Sequence, residues 1–189
     1  MSDPAAPPAI NIQIAGRRVE LAPHHCFGCG TLNAAGLQLV LHVDGTTCWT
    51  ELELDRRFEG WEGIAHGGIV SAILDEVMAW SLVEHDSWGL TARLNVAFRR
   101  PVPIGRRIRA EGWVVEAGRR LLRTVGRVVD PGSGEVLATA EAAYVPAPEA
   151  RKREAALAEA RKPLPVDPGL KHRRETLELV SRPVPLDPR

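Results

Sequence analysis

The chain has 189 residues, 44% hydrophobic and 25% charged, which suits a soluble globular protein with one core-bearing domain and appendages. Lysine plus arginine equals aspartate plus glutamate at 24 each, which argues against nucleic acid as the main partner. No apolar run approaches the ~20 residues of a membrane span, the N-terminal stretch lacks the basic and apolar regions of a signal peptide, and three cysteines fit a reduced, cytoplasmic setting better than a disulfide framework.

Residues 1–22 read as an N-terminal arm, Pro/Ala-rich and disordered to about Pro8. Ile10–Ile14 then alternates with period two ahead of a turn at Gly16-Arg17-Arg18, as an extra edge strand or arm. A glycine-punctuated loop follows, Pro23-His24-His25-Cys26-Phe27-Gly28-Cys29-Gly30. Strand patterns from Gly36 to about Val43 and from Thr46 to about Leu54 flank Asp44-Gly45, a strong hairpin signal. A loop through Trp61 leads to a helix from about His66 to Glu84. After it come strands over Thr91–Arg99, Arg107–Val115, Leu121–Val129 and Val136–Val145, with short connections that imply antiparallel pairing. In the first of these, Leu94, Val96 and Phe98 share one face against Arg93, Asn95 and Arg99. Two strands, one long buried helix and four more strands make an α+β domain over residues 23–146. Residues 147–189 form a charged, Pro-rich C-terminal extension that cannot build a core of its own.

The helix organises everything else. Ile69, Ile73, Val77 and Trp80 form one apolar stripe, and Val70, Leu74 and Met78 a second beside it. A helix this apolar belongs in an interior, with a sheet around it. Asp75 and Glu76 break the pattern, and a buried carboxylate costs free energy unless it is paired or hydrogen-bonded. His66-Gly67-Gly68 leaves bare backbone at the helix start, where unpaired N–H groups and the helix dipole favour an oxyanion. The plainer alternative is that Gly67 and Gly68 only permit a tight entry while Asp75 faces water. Gly67 and Asp75 are eight residues apart, ~12 Å along one axis at ~1.5 Å per residue. A base and an oxyanion donor acting on one carbonyl must each lie within about 3 Å of it. If both act, the carboxylate comes from a second copy of the helix, and the active unit is at least a dimer.

Three pieces of sequence carry a resemblance. They are Cys26-Phe27-Gly28-Cys29-Gly30, the run Gly63-Ile64-Ala65-His66-Gly67-Gly68 followed by Asp75-Glu76, and Thr91-Ala92-Arg93-Leu94-Asn95-Val96 through Pro101 to Gly105. With them the chain resembles the hotdog-fold acyl-CoA thioesterases, in particular the phenylacetate-pathway type, over roughly Pro23 to Val145. The resemblance implies a long helix inside a curved antiparallel sheet, with the sheets of two protomers joined side by side as a homodimer or a dimer of dimers. It implies an acyl-CoA substrate bound between the helix N-terminus of one chain and the acid of the other, without a metal or other cofactor. Gly67 then matches the backbone oxyanion donor, with Gly68 beside it, and Asp75 matches the general base or nucleophile. Thr91 matches a position supporting the attacking water or the carboxylate.

Other roles follow from the same resemblance. Arg99 and Arg100 become contacts for coenzyme A phosphates, or alternatively solvated edge charges. Trp61, from its own place in the loop before the helix, reads as a residue that stacks on a ligand. His66 orients the loop, polarises the carbonyl or caps the helix. One departure stands out: where some relatives place an asparagine or glutamine six residues before the histidine, this chain has Gly60. That keeps open a non-catalytic acyl-CoA-binding protein; behind it stands a hotdog hydratase or dehydratase, in which His66 and Asp75 would face one substrate across a dimer. Cys26 and Cys29 lack the second knuckle of a zinc site, and Cys48 is remote on a predicted strand, so the loop is expected to line the substrate entrance. Glu76, about 100° around the helix from Asp75, reads as structural.

Overall fold

A computed structural model describes residues 10–14, 17–21, 23–83 and 89–146. Strands β1 (Ile10–Ile14), β2 (Arg17–Leu21), β3 (His42–Asp44) and β4 (Thr47–Glu53) come first. A 3-10 turn (Arg56–Phe58) and the small hairpin β5 (Glu59–Trp61) and β6 (Ile64–Ala65) then lead into helix α1 (Gly67–Trp80). Strands β7 (Gly89–Phe98), β8 (Arg107–Ala117), β9 (Leu122–Val129) and β10 (Val136–Pro146) complete the domain. The main sheet runs β2-β1-β3-β4-β8-β9-β10-β7. Its six strands from β3 to β7 pair antiparallel, and α1 lies against them as the expected single long helix.

Three expectations are refined. The N-terminal strand forms as half of a β1–β2 hairpin, and β1 joins β3 in parallel, so one pairing in the sheet is not antiparallel. The run from Gly36 to Val43 contributes only its last residues to the sheet. Its Leu37 and Leu39 N–H groups donate instead to the carbonyls of Phe27 and Gly28, and Gln38 has a φ of 50°, so this stretch closes the glycine-rich loop. The β3–β4 turn does sit at Asp44-Gly45, with Gly45 at φ 55°, the left-handed conformation that glycine adopts at no steric cost. Helix α1 stops at Trp80, where Ser81 caps it and donates its hydroxyl to the Met78 carbonyl at 2.7 Å. The expected continuation to Glu84, Trp88 and the extension 147–189 lie outside the described residues.

The core sits between α1 and the sheet. Val70, Ile73, Leu74, Val77 and Met78 are buried against Ile108, Ala110, Val128 and the alanines of β10. Each such side chain contributes about 1.5–3 kcal/mol on removal from water. The helix comes closest where Gly112 of β8 faces Gly126 of β9 in register. A Cβ on Gly112 would meet the Met78 backbone at 2.7–2.8 Å, and one on Gly126 would meet the Met78 side chain at 3.0 Å. These two glycines set the depth at which the helix lies, and with it the height of Asp75 over the sheet. Gly112→Ala is expected to cost about 1–3 kcal/mol, because helix backbone cannot yield as a side chain can. Urea unfolding monitored by circular dichroism measures it, and an unchanged midpoint would contradict this packing.

Candidate active site

Asp75 is held from two strands. Thr91 Oγ1 of β7 donates to it, 2.9 Å from Oδ1 and 3.2 Å from Oδ2. The Tyr144 hydroxyl of β10 lies 2.9 Å from Oδ1 and 3.1 Å from the carbonyl oxygen of Asp75, and shares its proton between them. Two donors thus converge on Oδ1, which orients the carboxylate and leaves Oδ2 more open. Tyr144 is fully buried, and burial with the neighbouring Asp75 charge pushes its phenol well above the ordinary range, so it stays a donor. Thr91 and Tyr144 are directly paired in the β7–β10 register, so their side chains lie on the same face of the sheet.

That pairing depends on an irregularity. From Phe98 back to Arg93 the β7–β10 register is regular, and Leu94 and Val96 pack on the core. Plain alternation would put Thr91 with Arg93 on the opposite face. The register shifts between Ala143 and Tyr144, with Ala92 as the extra residue, and this bulge turns Thr91 back toward the helix. Tyr144 is the site residue that sequence reading missed. The available signal was a lone tyrosine, the only one in the chain, within an apolar strand, since a buried tyrosine hydroxyl needs a partner.

The helix N-terminus is arranged differently from a bare glycine pair. His66 is the N-cap, with φ −62° and ψ 133°, and its Nδ1 accepts the Gly68 N–H at 2.9 Å. The Ile69 and Val70 N–H groups return to the His66 carbonyl. Gly68 is therefore committed to the cap, and Gly67 is the residue whose N–H has no acceptor among the described residues. Because Nδ1 accepts, the ring carries its proton on Nε2, a second donor at the same helix end. Of the roles open to His66, the cap is the one the structure shows. Gly60 lies directly beneath His66, and a Cβ there would stand 2.7 Å from the His66 Cα. In this backbone a side chain at 60 would crowd His66.

The remaining expected residues are more dispersed. Trp61, at the tip of the β5–β6 hairpin, is 78% exposed. Arg100 donates to Glu135 at 3.0 Å, whereas Arg99 has no acidic partner among the described residues. The glycine-rich loop rests on α1 at the residue next to Asp75, with Gly28 against the Glu76 carboxylate, and Glu76 accepts from Trp80 Nε1 at 2.9 Å. A cavity of about 400 Å³ lined by Glu53, Asp55, Glu59 and Ile104 shares none of the Asp75 cluster.

Asp75 and Gly67 do not meet within one chain. Strand β7 carries Thr91 and ends at Phe98, whose ring flanks Gly67: a Cβ on Gly67 would touch it at 3.3 Å. Among the described residues this strand lies at the end of the sheet, paired with β10 on one side only, and exposes Leu90 and Phe98 at 68% and 54%.

Comparison with known proteins bears on the fold. The family profile of the thioesterase superfamily matches residues 62–137, from the loop before α1 to the start of β10. The chain has the hotdog fold. A solved thioesterase superfamily protein is similar at 25% identity and a TM-score of 0.57, covering 61% of this chain. The match spans 60% of that relative's length. Zebrafish thioesterase superfamily member 2 is 17% identical, with a TM-score of 0.52 over 55% of this chain and 76% of its own. A Streptococcus mutans protein bound to acetyl-CoA is 16% identical, with a TM-score of 0.52 over 55% of this chain and 82% of its own. No curated protein matches the sequence. Among the described residues no helix is long and apolar enough to cross a membrane.

The role of Tyr144 is open to direct measurement. Tyr144→Phe keeps the ring and removes the donor, and should lower the catalytic rate about tenfold, one hydrogen bond to a charged group. KM should stay near the parental value, because the hydroxyl orients the carboxylate and is fully buried. A raised KM at unchanged kcat would instead assign Tyr144 to substrate binding.

Proposed function

We propose that this protein is an acyl-CoA thioesterase that hydrolyses an acyl- or aryl-acyl-CoA to the free acid and coenzyme A, of the phenylacetate-pathway type, acting as a homodimer or dimer of dimers. The observation that carries the reading is the oriented Asp75 carboxylate, fixed by Thr91 and Tyr144 on a helix whose free Gly67 N–H lies too far along the axis to share its substrate. The unpaired β7 edge supports a second copy adding its own β7 there, which covers Leu90 and Phe98 and brings the partner's helix start toward Asp75.

In this mechanism water attacks the thioester carbonyl carbon while Asp75 Oδ2 takes its proton. The Gly67 N–H of the other subunit, aided by His66 Nε2–H, holds the developing oxyanion. Collapse breaks the carbon–sulfur bond, and the coenzyme A thiolate leaves with the proton held on Asp75. Direct attack by Asp75 through an anhydride is the other route to the same products. Arg99, with no acidic partner among the described residues, is the better candidate of the arginine pair for a phosphate of coenzyme A. Trp61, exposed on the hairpin, is the aromatic residue proposed to stack on ligand, and the reaction draws on no metal.

The missing amide at Gly60 favours one second reading, an acyl-CoA-binding protein that leaves the thioester intact. A hydratase is less well supported, since Nδ1 of His66 is occupied by the helix cap. Thiol release from a panel of aliphatic and aromatic acyl-CoAs separates them. Turnover of at least one member is expected. Saturable acyl-CoA binding without thiol release would leave the binding reading, and enoyl-CoA hydration the third.

A further inference from the structure

The turn at Cys26–Gly30 closes on helix α1 in a way that thioester hydrolysis leaves unused. Cys26 Sγ lies 3.7 and 3.6 Å from the two oxygens of Glu76. One ligand atom each from Cys26, Cys29 and Glu76 falls within 4.8 Å of the other two. Around a tetrahedral zinc, with Zn–S about 2.3 Å and Zn–O about 2.0 Å, ligand atoms stand roughly 3.5–3.8 Å apart. The Cys26–Glu76 separations already have that edge length.

The backbone is shaped to produce this cluster. A Cβ on Gly28 would collide with the Glu76 carboxylate, and one on Gly30 with the backbone of His24 and Cys26. Glycine at both places lets the turn fold tightly around the carboxylate. His24 Nδ1 accepts the Cys26 N–H at 3.2 Å, which leaves the ring proton on Nε2, 3.9 Å from Cys29 Sγ and placed to donate to it. Trp80 anchors the carboxylate from behind. A two-knuckle zinc site was not to be expected from the sequence, but the third ligand arrives from the helix, 50 residues away from Cys26. Cys48, buried on β4, takes no part.

The geometry points to a zinc site formed by the Cys26 and Cys29 thiolates and one Glu76 oxygen, with water in the fourth position and His24 as an N–H donor to sulfur. Binding releases the two thiol protons to solvent and changes no oxidation state. The metal pins the loop 23–36 to the face of α1 that adjoins Asp75, so it acts on stability and leaves the hydrolytic steps to Asp75 and Gly67.

The full chain, reduced and stripped with a chelator, is titrated with Zn²⁺ and separately with Co²⁺. One metal per chain, a sulfur-to-cobalt charge-transfer band, and a Tm raised by Zn²⁺ are expected. Glu76→Gln and Cys29→Ser should each weaken Zn²⁺ binding by at least ~100-fold, more than loss of an outer-shell partner costs, while Cys48→Ser leaves it unchanged. Should those variants fail to fold, the cobalt spectrum of the parent decides alone. A folded parent that takes up no Zn²⁺, a cobalt complex without the sulfur band, or affinity untouched by Glu76→Gln each overturns the site. Thiol release is not the readout, so the thioesterase reading stands or falls separately.

Discussion

Asp75→Asn is expected to lower thiol release by ~10²- to 10⁴-fold, the range of a general base, while leaving the fold and oligomeric state intact. The asparagine is nearly isosteric, and its side-chain oxygen still accepts from Thr91 Oγ1 and from the Tyr144 hydroxyl, so neither donor is stranded. What disappears is the capacity to take a proton from water or to attack carbon. Acyl-CoA binding should persist, because the substrate is held mostly by groups other than the carboxylate. The comparison therefore needs kcat and KM separately, with circular dichroism and size-exclusion chromatography as controls. A fall of kcat alone identifies Asp75 as the group that handles the proton. Parental turnover in a folded variant would remove Asp75 from the chemistry and, with it, the reading built on it.

The reach of sequence reading in this protein follows the range of the forces involved. Helix α1 was legible because its apolar stripes at helical spacing are a local pattern, and burying Val70, Ile73, Leu74 and Val77 is what the pattern encodes. The hairpin at Asp44-Gly45 was legible for the same reason. Thr91 was reachable only through family resemblance, since period-two alternation places it with Arg93, and only the Ala92 bulge returns it to the core side. A one-residue register shift leaves little local trace in sequence, although it reverses every side chain beyond it. Tyr144 and Glu76 were hidden by distance: one meets Asp75 across 69 residues, the other meets Cys26 across 50. His66 illustrates the converse. Three roles were compatible with its position, and the hydrogen bond from Gly68 to its Nδ1 shows one of them, the cap, while leaving Nε2 free.

The second large effect is expected from Gly67→Pro, a change that removes a backbone donor and almost nothing else. Proline is favoured at the first position of a helix, where its missing N–H has no intrahelical acceptor to lose. The preceding residue must be extended, and His66 at φ −62° and ψ 133° already is. The ring has to share space with Phe98, which a Cβ would touch at 3.3 Å, so size-exclusion chromatography of the variant checks that the β7 edge still pairs. Helix and cap should thus survive while kcat falls ~10²- to 10³-fold, the usual cost of one oxyanion donor. Each variant alone disables both sites of a homodimer. Mixing Gly67→Pro with Asp75→Asn subunits separates the lesions: half the dimers formed are mixed, and each carries one site with both defects and one with neither. Recovery to about a quarter of parental activity is then expected from subunit exchange under two-fold symmetry. Helix α1 is too long for both groups to serve one thioester from the same chain, so recovery follows directly from the spacing of Gly67 and Asp75. Absence of recovery in mixtures shown to contain mixed dimers would place both groups on one subunit, which a straight helix of this pitch does not allow, and would leave at most one of them in the reaction.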